Sequence, residues 1–207
     1  MSEPRSQILA EAGRAFGAAL DPTTAPWNVV RFLVPRLADW SLVGRRNTDG
    51  YIECVAYAHV DPTCSARLAQ LDRITPGHAD ALARVLRSGR PFVARDVAQR
   101  PDLLPVSLDD LDTRALLVVP LGAHRRPAGV IVQGAATPER FGLADARLSV
   151  ALALRASIVF DLARRYDAMR ERSASLSNIP KARRKQHLLD ARAHRRAELV
   201  RQWLGRP

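Results

Sequence analysis

The stretch from residue 113 to residue 135, "TRALLVVPLGAHRRPAGVIVQGA", decides the architecture. Apolar residues fill 115–121 and again 128–134, with Gly122 to Pro127 between them. Short apolar runs bounded by Gly and Pro read as buried strands, and the break joins them as a hairpin. A second pair lies upstream. Runs 39–46 and 51–60 flank Asn47-Thr48-Asp49-Gly50, where Asp-Gly supplies the positive φ that a tight turn needs. Strands joined by hairpins predict an antiparallel sheet.

Helical patterns surround these strands. Ile8, Leu9, Ala12, Ala15, Phe16 and Ala19 recur at helical spacing over 6–20. The pattern resumes over 24–37, with Pro26 near its start, where a missing N–H costs little, and Pro35 where it should end or kink. Residues 63–73 and 77–88 read as helices, 92–97 as a short strand, and 100–113 as a loop holding at most one helical turn. In "VLRSGRPFVARDV" (85–97), Gly89 permits a left-handed helix stop and Pro91 fixes the exit. Asp96 closes this strand either as a loop cap or as a polar group of a pocket. Residues 143–172 predict one long helix, with Leu143, Leu148, Leu152, Leu154, Ile158, Val159, Leu162 and Tyr166 as a broad apolar face. "SASLSNIP" (173–180) is a Ser-rich break, and 181–204 read as a final basic helix.

The fold class is therefore α+β: an antiparallel sheet with helices on both faces. The first helices and helix 143–172 cover one face. Elements within 63–110 cover the other, where a concave pocket can form. Tyr57, His59, Val85, Phe92, Asp96 and Val118 are the candidate pocket residues. On strand 51–60, strict alternation puts Tyr51, Glu53, Val55, Tyr57 and His59 on one face and Ile52, Cys54, Ala56, Ala58 and Val60 on the other. The domain is expected to span 1–172, followed by a linker (173–180) and a basic helical tail (181–207).

Charge is distributed unevenly. The 207 residues carry 32 Lys and Arg against 21 Asp and Glu, a net +11. Residues 181–207 hold nine of the basic residues against Asp190 and Glu198, so +7 of the total lies in the tail. Lys181, Arg183, Arg184, Lys185, Arg192, Arg195 and Arg196 are its candidate contacts to a protein partner or to nucleic acid phosphates. Leu189, Ala193, Ala197, Val200 and Leu204 form a stripe on the same segment, so folding back onto the domain is a third use.

Catalytic and metal motifs are sparse. The histidines (His59, His78, His124, His187 and His194) lack zinc-binding spacing, so no metal site is expected, and no phosphate loop or nucleophile elbow occurs. Cys54 and Cys64 are too few for a disulfide framework and are expected as reduced, half-buried thiols. No apolar run is long enough to span a membrane, and the N-terminus lacks the apolar segment of a signal peptide. These features predict a cytoplasmic protein. Nothing in the residues specifies a cofactor.

Four segments resemble the GAF domain family, ligand-sensing modules of signalling proteins. "LADWSLVGRRNTDG" with "YIECVAYAHVDP" is similar to the family's first hairpin. "VLRSGRPFVARDV" is similar to its helix stop and short strand. "TRALLVVPLGAHRRPAGVIVQGA" is similar to its paired core strands, and "FGLADARLSVALALRASIVFDLARRYD" to its terminal helix. The likeness covers about residues 5–170 and is nearest to GAF modules of bacterial sensor histidine kinases and serine/threonine phosphatases. It implies a non-catalytic regulatory module that binds a small molecule or a signalling protein, pairs as a homodimer through helix 143–172, and relays through that helix and the tail. The Cys or His of tetrapyrrole-binding members and the Asn-Lys-x-Phe-Asp-Glu signature of cyclic-nucleotide-binding members have no counterpart. Free methionine sulfoxide reductases share the fold but carry a cysteine cluster, which Cys54 and Cys64 do not reproduce. A thiol redox enzyme is the minor alternative, and a nucleic-acid-associated regulator the major one.

Overall fold

Strand β1 (Trp40–Arg46) lies inside a six-stranded sheet whose other members are β2 (Ile52–His59), β3 (Arg73–Ile74), β4 (Phe92–Ala94), β5 (Ala115–Leu121) and β6 (Gly129–Ala135), in the order β3-β2-β1-β6-β5-β4. Every neighbouring pair is antiparallel, as the hairpins require. This computed structural model describes residues 4–18, 21–78, 80–122 and 126–177. Two compact units result, 1–164 and 165–207, and the whole sheet belongs to the first.

Alternation of side chains gives the sheet two apolar faces. On one, Val43, Ala56, Leu117, Val119 and Ile131 pack with Ile8, Ala12 and Phe16 of α1 (Arg5–Gly17), Val29, Val30 and Leu33 of α2 (Ala25–Leu33), and Leu148, Leu152 and Ala156 of α5 (Leu143–Ser177). Ser149 of α5 donates to the buried Gln133 amide oxygen at 2.6 Å, a polar tie between helix and sheet. On the other face, Trp40, Leu42, Ile52, Leu116, Val118, Val130 and Val132 meet Leu68 of α3 (Pro62–Ala69) and Leu82 and Val85 of α4 (Ala81–Ser88). Val97, Leu103, Leu108 and Leu111 also pack there, from three 3-10 turns at 97–99, 101–103 and 106–111, with Leu104 between the last two. The expected division of helices between the faces is what the structure shows.

Local chemistry sets the element ends. Gly89 stops α4 at φ 64°, its N–H donating to the Val85 carbonyl at 2.8 Å. A residue without Cβ takes that left-handed conformation without strain. In the first hairpin, Asn47 Oδ1 accepts from the N–H of Asp49 and Tyr51, and Gly50 sits at φ 87°.

Several bounds differ from the sequence reading. Helix α2 ends at Leu33, before Pro35, with Val34 extended. Helix α4 starts at Ala81 rather than 77, because the Asp80 carboxylate caps it by accepting from the Ala83 N–H. Helix α3 ends at Ala69 rather than 73, and Arg73 joins Ile74 in a two-residue strand against Glu53 and Ile52. Helix α5 runs to Ser177, into the Ser-rich segment, since Ser disfavours a helix by only ~0.5 kcal/mol.

The largest difference is in β2. Val43 pairs with Ala56 and Gly44 with Cys54, so Val55 is an extra residue without a partner. This β-bulge shifts the alternation by one. Cys54 joins Tyr57 on the α4 face, while Val55 and Ala58 pack on the α5 face. The strict alternation expected for residues 51–60 is therefore corrected at Val55.

Candidate functional site

Three regions bear on function: the sheet face under α4, a cleft on the opposite face, and the outer side of α5.

Under α4, β4 and β5 bring Phe92 opposite Val118, and α4 lays Val85 over the same cluster. Val85 and Val118 are fully buried among close-packed neighbours. Trp40 fills the middle of the face and is fully buried, and its indole N–H donates to Thr113 Oγ1 at 3.0 Å. Gly134 makes room for it: a Cβ there would lie 2.5 Å from the indole Cζ2. Trp40, Leu42, Leu82, Leu108 and Leu116 thus pack the middle of this face.

The remaining candidates stand apart from this cluster in chemistry. Tyr57 is half-buried and packs edge-on against Trp27, ring centroids 4.9 Å apart. His59 accepts at Nδ1 from the Asp61 N–H at 2.8 Å. Asp96 serves as a cap, accepting from the Ala98 N–H at 3.1 Å. It also holds Arg114 through two bonds of 3.1 and 2.9 Å. The Arg114 hydrogen bonds hold its carboxyl below the usual carboxylate range, against the opposing effect of partial burial.

The thiols share the α4 face: Cys54 on β2 and Cys64 on α3 are both free and half-buried. Burial pushes the Cys54 thiol up to about 11, reinforced by the Asp72 carboxylate. A thiol so placed is protonated near neutral pH and a poor nucleophile.

On the α5 face a cleft of about 100 Å³ opens beside the bulge. Val43, Val55, Leu121 and Phe160 are among its apolar lining, and Arg45 and Arg164 lie at its charged part. Ser157 fixes one wall, accepting from the Gly122 N–H and donating to the Ala153 carbonyl, both at 2.8 Å. Sequence reasoning missed this cleft, because its floor depends on the bulge and no local motif marks it.

Helix α5 carries two apolar rows. Leu148, Leu152, Ala156 and Ala163 are buried, whereas Val150, Leu154, Ile158 and Leu162 are 37, 60, 60 and 49% exposed. The single broad face read from sequence divides into an inward row and an outward one. In the second unit, Tyr166 and Met169 are exposed. The tail residues Lys181, Arg183, Arg184, Lys185, Arg192, Arg195 and Arg196 lie outside the described residues, as does the tail helix.

Comparison with known proteins places this architecture. The family profile for the GAF domain matches residues 23–161, well over half of the chain. The chain belongs to the GAF domain family. Solved structures agree in fold. A free methionine-R-sulfoxide reductase from Neisseria meningitidis, solved with its substrate, superposes with a TM-score of 0.66 at 18% identity, covering 78% of this chain and 91% of its own. The GAF domain of an Acinetobacter phosphoenolpyruvate-protein phosphotransferase gives 0.61 at 16% identity, covering 79% and 96%. That of the corresponding Coxiella burnetii protein gives 0.61 at 20%, with the same coverage of 79% and 96%. A search of curated protein sequences finds no match. At these identities the likeness establishes the GAF fold, which is shared by a free methionine-R-sulfoxide reductase and by GAF domains of phosphotransferase proteins. Among the described residues, no helix is long and apolar enough to cross a membrane.

Proposed function

We propose that this GAF domain is a non-catalytic regulatory module that pairs as a parallel homodimer through α5 and relays its state along that helix towards the basic tail and a signalling partner. The observation that carries this reading is the outward row Val150, Leu154, Ile158 and Leu162, each four residues from the next and each exposed. A row at this spacing forms a ridge that can pack against its own copy across a two-fold axis. The half-buried, protonated Cys54 supports a regulatory rather than a thiol-catalytic role.

Sedimentation velocity on the full chain tests the pairing. The wild type sediments as a dimer, and the double substitution Leu154→Glu/Ile158→Glu gives a monomer with an unchanged melting temperature. A monomeric wild type, or a dimeric variant, rejects the interface.

A second reading has one observation in its favour: solved reductases share the fold. It predicts turnover of free methionine sulfoxide that is lost in Cys54→Ser, and an inactive wild type removes it. Nucleic acid binding through the tail is the third. It predicts steeply salt-dependent binding that disappears when 181–207 are deleted.

A further inference from the structure

The cleft beside the bulge is placed where neither the pairing of α5 nor the packed α4 face uses it. We propose that it binds a small monocarboxylate with a short branched body, seated between the sheet and α5.

Three features specify that chemistry. The first is the floor. The bulge sets Val43 and Val55 on the α5 face, Gly44 borders them with its backbone while its Cβ position faces Ile52 on the other side of the sheet, and Leu121 and Phe160 are part of the same lining. Such a lining excludes a strongly hydrated body and favours alkyl groups. The second is size. The cleft measures about 100 Å³, below the ~150 Å³ of an apolar cavity that accepts benzene. The enclosed part of the cleft holds a body of about four or five carbons.

The third is charge. Arg45 and Arg164 contribute two guanidinium groups, and Asp161 is the one carboxylate among the described lining residues. Both arginines already hold exposed partners: Arg45 binds Glu53 at 2.8 Å with the two side chains 55 and 47% exposed, and Arg164 binds Asp161. Exposed pairs of this kind are weak, so a guanidinium can exchange its partner for an incoming carboxylate at low cost. The exchange replaces one charge-assisted contact with another, while the ligand's alkyl body gains the apolar floor. An ammonium ligand would face two guanidinium groups against the single lining carboxylate of Asp161.

Occupancy would join the bulged strands to Ser157, Phe160, Asp161 and Arg164 of α5. A ligand in this place touches both the sheet and the helix, independently of whether α5 pairs.

The test is titration of the full chain with isovalerate, and in parallel with its neutral isostere isovaleramide, following the methyl signals of Val43 and Val55 by NMR. The expected result is saturable shifts of both valines with isovalerate, with the amide at least tenfold weaker. In Arg45→Leu/Arg164→Leu, binding weakens at least tenfold while the melting temperature and the remaining methyl spectrum stay as in the wild type. Because both side chains are exposed, this variant should fold, and a second variant, Phe160→Ala, checks the apolar wall with an expected loss of at least fivefold. No saturable shift, equal binding of acid and amide, shifts confined to other methyl groups, or undiminished binding to the arginine variant overturns the proposal. Dimer formation is not read in this experiment, so either result leaves the α5 interface to its own test.

Discussion

Replacing Gly134 with Ala tests whether Trp40 packs the α4 face as tightly as described. The new Cβ would lie 2.5 Å from Cζ2 of the indole and closer still to Cε2 and Nε1. Carbon atoms in contact sit at ~3.5–4.0 Å, so the ring must retreat by at least about 1 Å. It has little room, since Trp40 is fully buried and its N–H is fixed on Thr113 at 3.0 Å. Overpacking of a well-filled core costs ~1–3 kcal/mol, and stretching the indole hydrogen bond adds ~1 kcal/mol. The expected destabilisation is therefore about 3 kcal/mol, which for a domain of this size lowers the melting temperature by roughly 6–12 °C. The assay is urea unfolding of wild type, Gly134→Ala, Trp40→Phe and the double variant. Phe is smaller and lacks the N–H, so it creates the space that the added methyl group needs. The two substitutions should be less damaging together than their sum by at least ~1 kcal/mol. A Gly134→Ala cost below ~0.5 kcal/mol, or strict additivity, would refute the packing argument, because either means that this face has free volume beside Trp40.

Three other contacts lend themselves to the same kind of test. Removing the hydroxyl in Thr113→Val leaves the buried Trp40 N–H without an acceptor and should cost ~1–3 kcal/mol in the same unfolding assay. Asp96 has a lowered folded-state pKa, so its contribution to stability is present above its unfolded value of ~3.9 and is lost as pH falls through the folded one. The melting temperatures of wild type and Asp96→Asn should therefore differ at pH 7 and converge towards pH 3, and a constant gap contradicts the Arg114 pairing. Iodoacetamide should modify Cys54 slowly in the folded chain at pH 8, with a rate that climbs towards pH 11 and a large increase on unfolding. Peptide mass mapping in the Cys64→Ser variant reads this directly, and fast labelling at pH 8 contradicts the burial.

The legibility of the sequence varied with the range of the forces involved. The hairpins were legible because Asp49-Gly50 and the apolar runs on either side act locally. The α4 stop was legible because only the backbone at Gly89 is concerned. The bulge was not: Val55 is one apolar residue among others, and its extra place appears only when Val43 and Gly44 fix the register from the neighbouring strand. The filling of the α4 face was equally hidden, since it joins Trp40, Thr113 and Gly134, which lie far apart in the chain. For α5, a finer count would have sufficed. Leu148, Leu152 and Ala156 form one four-residue row and Val150, Leu154, Ile158 and Leu162 another, and the sheet can bury only the first. The 3-10 turns at 97–111 escaped because their buried leucines follow no long period.

The most direct test of the regulatory reading is a disulfide placed on the α5 row. With Cys54→Ser and Cys64→Ser as background, Ile158→Cys puts one thiol per chain on the exposed ridge. Across a parallel two-fold axis, residue 158 faces its twin within reach of an S–S bond, whose Cα separation is ~4.4–6.8 Å. Mild oxidation of the full chain should convert most of it to a covalent dimer, at a rate independent of protein concentration. The control Thr48→Cys, on the exposed first hairpin, should remain monomeric on a denaturing gel. Cross-linking of Ile158→Cys no faster than this control, or proportional to concentration, would contradict pairing through α5 and with it the proposed relay.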